Sequence, residues 1–139
     1  MLNMFTAMDI GASGLKAQKM RMNVIANNMA NVTTTRDRHG NNIPYRRQMP
    51  IFKSGADALT GSPELGVEVS EIIESRAQFR KVYNPDHPDA NEEGIVLYPN
   101  VRMPVEMINM IEASRAYEAN IRSMEAAKTM FTSALNILK

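Results

Sequence analysis

The stretch MINMIEASRAYEANIRSMEAAKTMFTSALNIL, residues 107–138, decides the fold of this chain. Its apolar side chains recur at alternating intervals of three and four, a spacing that places them along one seam of a helix packed lengthwise against other helices. Eight of the ten seam positions are apolar, and the ten are Met107, Met110, Ser114, Tyr117, Ile121, Met124, Lys128, Phe131, Leu135 and Leu138.

The other end of the chain carries a matching seam, again with eight apolar positions of ten: Met1, Met4, Met8, Gly11, Leu15, Gln18, Met22, Ile25, Met29 and Val32. The spacing predicts helices over about 3–31 and 104–138. Two helices of that length are too long for a compact domain of 139 residues, so we expect much of both seams to contact other subunits. The predicted interface comprises Met8, Leu15, Met22, Ile25, Met29, Val32, Met107, Met110, Tyr117, Ile121, Met124, Phe131 and Leu135.

We therefore predict a mainly α fold with a small β region, in which two long antiparallel, coiled-coil-like terminal helices are joined by an irregular short-stranded segment. Residues 1–34 and 103–139 would form one helical core, and residues 35–102 an irregular or β insert. Within the insert the sequence predicts strands at 45–52, 66–70, 78–83 and 95–98 and a mobile loop at 54–65. Pro50 confines the first strand to an edge, and Ile72-Ile73 breaks the alternation of the second and indicates a bulge.

Three local features of the helices have structural interpretations. Gly11 and Gly14 weaken the first third of the N-terminal helix. Asn27, Asn28 and Asn31 tolerate left-handed backbone and predict its C-cap. The C-terminal helix has a second face, either a surface for close helix approach or a mere consequence of alanine's helix propensity. This face comprises Ala113, Ala116, Asn120, Ser123, Ala127, Met130 and Ala134.

Composition excludes little but points away from several classes. The net charge of +1 gives no global attraction to nucleic acid or anionic membrane, and the absence of cysteine excludes disulfides and thiolate chemistry. No apolar run is long enough to span a bilayer, and the N-terminus lacks the pattern of a cleavable signal peptide. Taken alone, these features indicate a cytoplasmic protein. The 12 methionines are consistent with an ordinary core or with a helical surface that adapts to several neighbours.

No residue set supports catalysis, a cofactor or a metal. The segment Asp86–Asp89 with His87 resembles a metal clip but has no second ligand cluster, so we interpret it as a solvated loop. Nucleophile, phosphate-loop and zinc-protease motifs are absent from the sequence. The basic cluster Arg36, Arg38, Arg46 and Arg47 with Tyr45 suits single-stranded nucleic acid or, preferably, a hairpin whose charges pair with acidic neighbours.

Several long motifs resemble those of bacterial flagellar basal-body rod proteins, the proximal rod members most closely. The motifs cover nearly the whole chain in the expected order: NNMANVTTTR at 27–36, IPYRRQ at 43–48, GVEV at 66–69, VYNPDHPDAN at 82–91, GIVLYPNV at 94–101 and MINMIEASRAYEAN at 107–120. Ile95 replaces the family's usual tyrosine, and the 54–65 loop is short. The family-motif positions that the resemblance assigns are Asn28, Ala30, Asn31, Thr35, Arg36, Tyr45, Arg46, Pro99, Asn100, Val101, Arg115, Tyr117 and Asn120.

The resemblance implies a non-enzymatic subunit of the proximal rod, the driveshaft that transmits torque across the periplasm. Such subunits assemble helically through their terminal helices and leave the cytoplasm through the flagellar type III export apparatus without signal cleavage. Partners would be further copies, other proximal and distal rod subunits and the membrane-ring/rod adaptor, with no nucleic acid and no membrane insertion. A small coiled-coil adaptor is the alternative. We expect the basic hairpin and acidic loop to select neighbours, and Ile121→Asp to abolish rod incorporation.

Overall fold

The fold consists of two long helices and two small antiparallel sheets. The computed structural model describes residues 4–54 and 66–137, so the prediction of a mobile 54–65 loop lies outside the described residues except at Ser54. The elements in chain order are α1 (Met4–Ala30), β1 (Gln48–Ser54), β2 (Val67–Glu74), β3 (Arg80–Tyr83), β4 (Ile95–Tyr98) and α2 (Met103–Ile137). Both predicted helices and all four predicted strands are present. The end of α1 and the start of α2 each differ from prediction by one residue, and the predicted outer ends at residues 3 and 138 lie outside the described residues.

The two helices pack antiparallel, as predicted. Near the start of α2, the Asn28 amide nitrogen lies 3.3 Å from a Glu106 carboxylate oxygen, and farther along, Arg21 pairs with Glu112 at 3.4 Å. Each step toward the N-terminus of α1 therefore meets a residue farther along α2. At 35 residues against 27, α2 is longer than α1 by about 12 Å. Coiled-coil supercoiling of the pair remains a prediction.

Glycines in α1 bring the two helices close together. A Cβ at Gly11 would lie 2.5 Å from Met124 Cγ, and one at Gly14 would lie 2.9 Å from Asn120 Nδ2. The helix continues unbroken through both positions, so they serve as contact points with α2 as well as positions of low helix propensity. Ala113, the first residue of the small-residue face of α2, is fully buried. This face therefore starts in the part of α2 that packs against α1.

The predicted α2 seam diverges from the buried face at its start. Glu106 and Ala113 are fully buried, whereas Met107 is 52 % exposed and lies about 100° around α2 from Glu106. A strict seven-residue repeat drifts by about 20° per heptad around a straight helix, so a 3–4 pattern cannot keep one face in contact over four heptads. Phe131 and Leu135, at the opposite end of the seam, lie near the start of the described part of α1 and are also exposed.

The β1–β2 hairpin is antiparallel, from the pair Gln48–Glu74 to the pair Ser54–Val67. Pro50 lies in β1, and its missing N–H is tolerated because each strand of a two-stranded sheet has a free edge. The bulge was predicted at Ile72-Ile73, but that position is wrong. Ile51 pairs with Glu71 and Phe52 with Val69, so the extra residue is Ser70.

This hairpin lies along α1. At one end Asn28 Nδ2 donates to the Gln48 carbonyl at 2.8 Å, and at the other the Val67 N–H donates to Ser13 Oγ at 3.1 Å. Gly66 precedes that contact with φ +88°, and a Cβ there would collide with Ser13 Oγ. Seven strand residues and fifteen helical residues both span about 23 Å, so the hairpin and this part of α1 match in length.

The β3–β4 hairpin pairs Arg80 with Tyr98 at its base and Tyr83 with Ile95 at its tip. Its connecting loop closes through the Asn84 N–H, which donates to the Gly94 carbonyl at 2.8 Å. Among the described residues the buried hydrophobic side chains are few, and they lie in α1, in β4, just after β4 and in α2: Ala17, Val24, Ile25, Val96, Val101 and Ala113. Neither α1 nor α2, as far as the structure describes them, has a segment apolar enough to cross a bilayer.

Candidate assembly surfaces and the junction that positions them

Asn28 is the centre of a polar junction between α1, β1 and α2. Its Nδ2 donates to the Gln48 carbonyl at 2.8 Å and to Glu106 Oε2 at 3.3 Å, while its Oδ1 accepts from the Tyr45 hydroxyl at 2.9 Å and the Gln48 N–H at 2.8 Å. All four hydrogen-bonding positions of the amide are used. The predicted role of Asn28 in a left-handed cap is wrong. It is 1 % exposed, and no non-glycine residue among those described has positive φ.

Glu106 completes the junction from α2. Its side chain is fully buried, and Oε1 accepts from Arg47 Nε at 2.6 Å. The Arg47 N–H in turn donates to Asn100 Oδ1 at 2.8 Å. Burial raises the pKa of the Tyr45 phenol above its ordinary value, with smaller contributions from the nearby carboxylates of Glu74 and Glu106. The junction therefore fixes where α2 begins relative to where α1 ends.

A second cluster fastens the β3–β4 loop to the segment that follows α1. The Asp89 carboxylate accepts from Arg36 Nε at 2.6 Å and from Thr35 Oγ1 at 2.6 Å. The Arg36 hydrogen bond, followed by the Thr35 hydrogen bond, holds the pKa of the Asp89 carboxyl below its usual value. The Asn42 amide adds a 3.2 Å hydrogen bond to the Asp89 carbonyl.

These contacts support the interpretation of the basic cluster as a charge-paired segment for Arg36 and Arg47. Arg36 pairs with Asp89 and Arg47 with Glu106, while the Arg46 guanidinium stacks 4.4 Å from the centre of the Phe79 ring. The arrangement supports a hairpin whose charges are paired inside the chain. We expected the basic hairpin and the acidic loop to select neighbouring subunits. Arg36 and Asp89 instead pair with each other, and Arg47 pairs with Glu106 of α2. Within residues 4–54 and 66–137, no His, Asp and Glu side chains cluster as a metal ion would require.

The remaining motif positions divide between interior and surface. Pro99 and Val101 are buried, while Ala30 and Arg115 are exposed. Asn31 lies just beyond α1, where its Nδ2 donates to the Asn27 carbonyl at 2.9 Å and so covers the end of the helix. Most motif side chains thus maintain the fold of one subunit.

Two surfaces of α2 expose large apolar side chains. The first, which we call the outer patch, lies mainly on the side of α2 away from α1 and comprises Val105, Met107, Ile108 and Ile111, which are 38–58 % exposed. The second, which we call the distal overhang, lies where α2 approaches and passes the start of α1 and comprises Met130, Phe131 and Leu135, which are 39–67 % exposed.

The predicted interface residues fall into two groups. Three of them belong to these exposed surfaces: Met107, Phe131 and Leu135. Ile25 is buried within the chain, and the others are half-buried: Met8, Leu15, Met22, Met29, Val32, Met110, Tyr117, Ile121 and Met124. The sequence prediction missed Ile108, Ile111 and Met130 as members of the exposed surfaces. The sequence does contain a signal for these three residues. They are apolar and lie next to seam positions, and the drift of the seven-residue repeat turns this part of the seam outward.

Comparison with known proteins identifies relatives over the whole chain. Residues 8–36 match the family model described as flagella basal body rod protein, and residues 92–137 match the model described as flagellar basal body rod FlgEFG protein C-terminal. The flagellar basal-body rod protein FlgC of Bacillus subtilis is 40 % identical, with 97 % of this chain and 98 % of the relative covered. FlgC of Borreliella burgdorferi is 39 % identical with 99 % of each covered, and FlgC of Salmonella typhimurium is 39 % identical with 99 % and 97 % covered.

Proposed function

The chain belongs to the flagellar basal-body rod protein FlgC family, and on that basis we propose that it is a non-enzymatic structural subunit of the rod. The structural observation that carries the proposal is the outer patch, because α2 exposes apolar side chains on the side away from its partner helix. Exposed patches of this kind mark protein interaction surfaces. The polar junction supports the same role, since it holds α1, α2 and the insert as one unit.

Assembly uses two apolar surfaces that cannot contact each other within one subunit. The outer patch begins at the junction end of α2, and the distal overhang lies at the other end of the same helix. Contacts between different surfaces of successive copies are heterologous. Unless the rotation from one subunit to the next closes a ring, such contacts generate a helical assembly. Each contact gains about 25 cal/mol per Å² of apolar surface removed from water.

The finer parts of the proposal follow from family membership. The subunit occupies the proximal part of the rod in the periplasm and contacts other rod subunits and the membrane-ring/rod adaptor. It is exported through the flagellar type III apparatus without signal cleavage. Torque then passes through the packed helices, because they run lengthwise through each subunit. Half-buried seam residues such as Met22 and Ile121 contribute to subunit contacts where they remain accessible.

Ile111→Asp tests the role of the outer patch. A buried carboxylate is costly unless paired, so we expect the variant to fold normally but to be lost from purified basal bodies and to abolish motility. Ala126→Asp is the matched control, because Ala126 lies exposed on the same side of α2 about 22 Å farther along. Ile111→Leu keeps the apolar surface and should remain motile.

The outcome separates assembly from folding. Ile121 is half-buried, so Ile121→Asp would disturb the helix pair as well as any subunit contact. Ile111 is 55 % exposed, and its substitution leaves the α1–α2 contact intact. Normal incorporation of Ile111→Asp, measured by basal-body purification with unchanged circular dichroism of the isolated protein, would remove the outer patch from the assembly surface.

A further inference from the structure

The β3–β4 hairpin carries opposite charges at its two ends. Its connecting loop exposes three carboxylates, which we call the acidic tip: Asp86, Glu92 and Glu93. A fourth carboxylate of the loop, Asp89, is already paired with Arg36. The residues around the other end of the hairpin expose three guanidinium groups, which we call the basic base: Arg76, Arg80 and Arg102. The net charge of +1 for the chain conceals this separation.

The basic base borders a groove. A cavity of about 430 Å³ lies between β3, the residues after β4 and the start of α2, and Arg47, Arg80 and Arg102 all line it. The Arg47 charge is used by Glu106. Arg80 and Arg102 have no ion pair among the residues that the structure describes. The Arg80 guanidinium lies 5.5 Å from the centre of the Tyr98 ring, which holds it at the edge of the groove.

This concentration of positive charge is unfavourable in an isolated subunit. Arg102 immediately precedes α2, where the partial positive charge of the helix N-terminus disfavours a cation. The carboxylate that would offset it, Glu106, already accepts hydrogen bonds from Arg47 and Asn28. A local arrangement that opposes its own electrostatics is expected where a partner supplies the missing charge. The groove therefore fits a carboxylate-bearing segment.

The tip of the same subunit cannot supply that segment. The pairs Arg80–Tyr98 and Tyr83–Ile95 mark the two ends of one hairpin, so base and tip are separated by at least about 10 Å of rigid sheet. The tip of another copy can reach the groove. Lys81 and Glu93 line one cavity on the other side of β3, which offsets part of the Glu93 charge and leaves Asp86 and Glu92 as the main free carboxylates.

We propose that the acidic tip of one copy docks in the basic groove of a second copy, in a head-to-tail contact between hairpins of neighbouring subunits. The inference rests on the proposed function, because it names the neighbour and the chemistry of one subunit contact in the rod. The groove adjoins the apolar outer patch on α2 through Val105, which belongs to both surfaces, but Ile111 does not line the groove. Complementary charges across such a contact set its orientation and exclude wrong neighbours.

Charge reversal tests the pairing. Asp86→Lys with Glu92→Lys reverses the tip, and Arg80→Glu with Arg102→Glu reverses the base. We expect each reversal alone to weaken self-association of the purified protein about tenfold in low salt, as measured by sedimentation velocity, because several exposed ion pairs are lost together. A chain that carries both reversals should regain self-association and incorporation into basal bodies, since tip and base again have opposite charges.

The variant with both reversals also shows whether the groove binds a different protein instead of a second copy. If the groove binds a different protein, reversing both ends gives an even poorer subunit than reversing the base alone, and the proposal is overturned. Equal self-association of all four proteins would overturn it as well. Neither result touches the family assignment or the Ile111→Asp experiment, because Ile111 does not line the groove.

Cross-linking provides a direct measurement in the rod. The chain has no cysteine, so Glu92→Cys with Arg102→Cys introduces the only two thiols, both at exposed positions. Oxidation of purified basal bodies should give a ladder of disulfide-linked multimers, and each single variant should give no ladder. A double variant that enters rods but forms no ladder would refute the contact while leaving the rod assignment in place.

Discussion

Asn28→Ala measures how strongly the junction stabilises the subunit. The substitution removes four hydrogen bonds and leaves the Gln48 N–H, the Gln48 carbonyl and the Tyr45 hydroxyl without their native partner. A hydrogen bond contributes about 1 kcal/mol net. The 3.3 Å bond to Glu106 is the longest of the four and is expected to be the weakest, so the loss amounts to about 3 kcal/mol.

This loss is large compared with the stability of a small protein. Total unfolding free energies are about 5–15 kcal/mol, and about 3 kcal/mol corresponds to a fall in Tm of about 10 °C at this size. Urea unfolding of the isolated protein, followed by far-UV circular dichroism, measures the difference. The slope of the transition should be unchanged, because the surface exposed on unfolding is the same.

Asn27→Ala is the matched control. Asn27 lies one residue away in the same helix and is exposed, and its side chain makes no hydrogen bond within the described residues. We expect a change within about 0.5 kcal/mol. If Asn28→Ala destabilises by less than about 1 kcal/mol, or no more than Asn27→Ala, the junction does not hold the helices and the insert together as argued.

Two further predictions concern other contacts. Gly40→Ala should cost about 1–2 kcal/mol, because φ is +82° but nothing lies within 4 Å of the added Cβ. Gly66→Ala should cost about 1 kcal/mol more than Gly40→Ala, because its Cβ would displace Ser13 and break the 3.1 Å hydrogen bond from the Val67 N–H. Equal thermal shifts for the two variants would contradict the docking of β2 on α1. Asp89 stabilises the fold above its unfolded pKa of about 3.9, and this contribution is lost as pH falls through its lower folded pKa. Asp89→Asn should therefore be less stable than the parent at neutral pH, with the difference shrinking in acid, and a difference independent of pH would contradict the pairing with Arg36.

The helices and strands were predictable because their signals are local. The 3–4 spacing predicted α1 and α2. Alternation of apolar and polar residues predicted β2. The site of the bulge was not predictable, because Ser70 and Ile72 are equally compatible with an extended strand and pairing with β1 decides between them.

The junction required long-range information. Asn28 occurs among asparagines that suit a helix end, and nothing in its neighbourhood shows that Gln48 and Glu106 surround it. The same holds for Asp89, which reads as one carboxylate of an acidic loop until Arg36 is placed beside it. The prediction of the exposed surfaces was incomplete for a geometric reason. The repeat identifies apolar residues, but it does not show which way each of them faces around the helix.

The antiparallel pairing of α1 with α2 also sets the order in which the chain can fold. Arg21 meets Glu112 across 91 positions of sequence, and Asn28 meets Glu106 across 78. Such high contact order makes folding slow, because a large loop must close before the contacts that stabilise it exist. During synthesis α1 emerges first and has no partner helix until almost the entire chain has left the ribosome. The topology therefore delays completion of the fold until α2 has been synthesised.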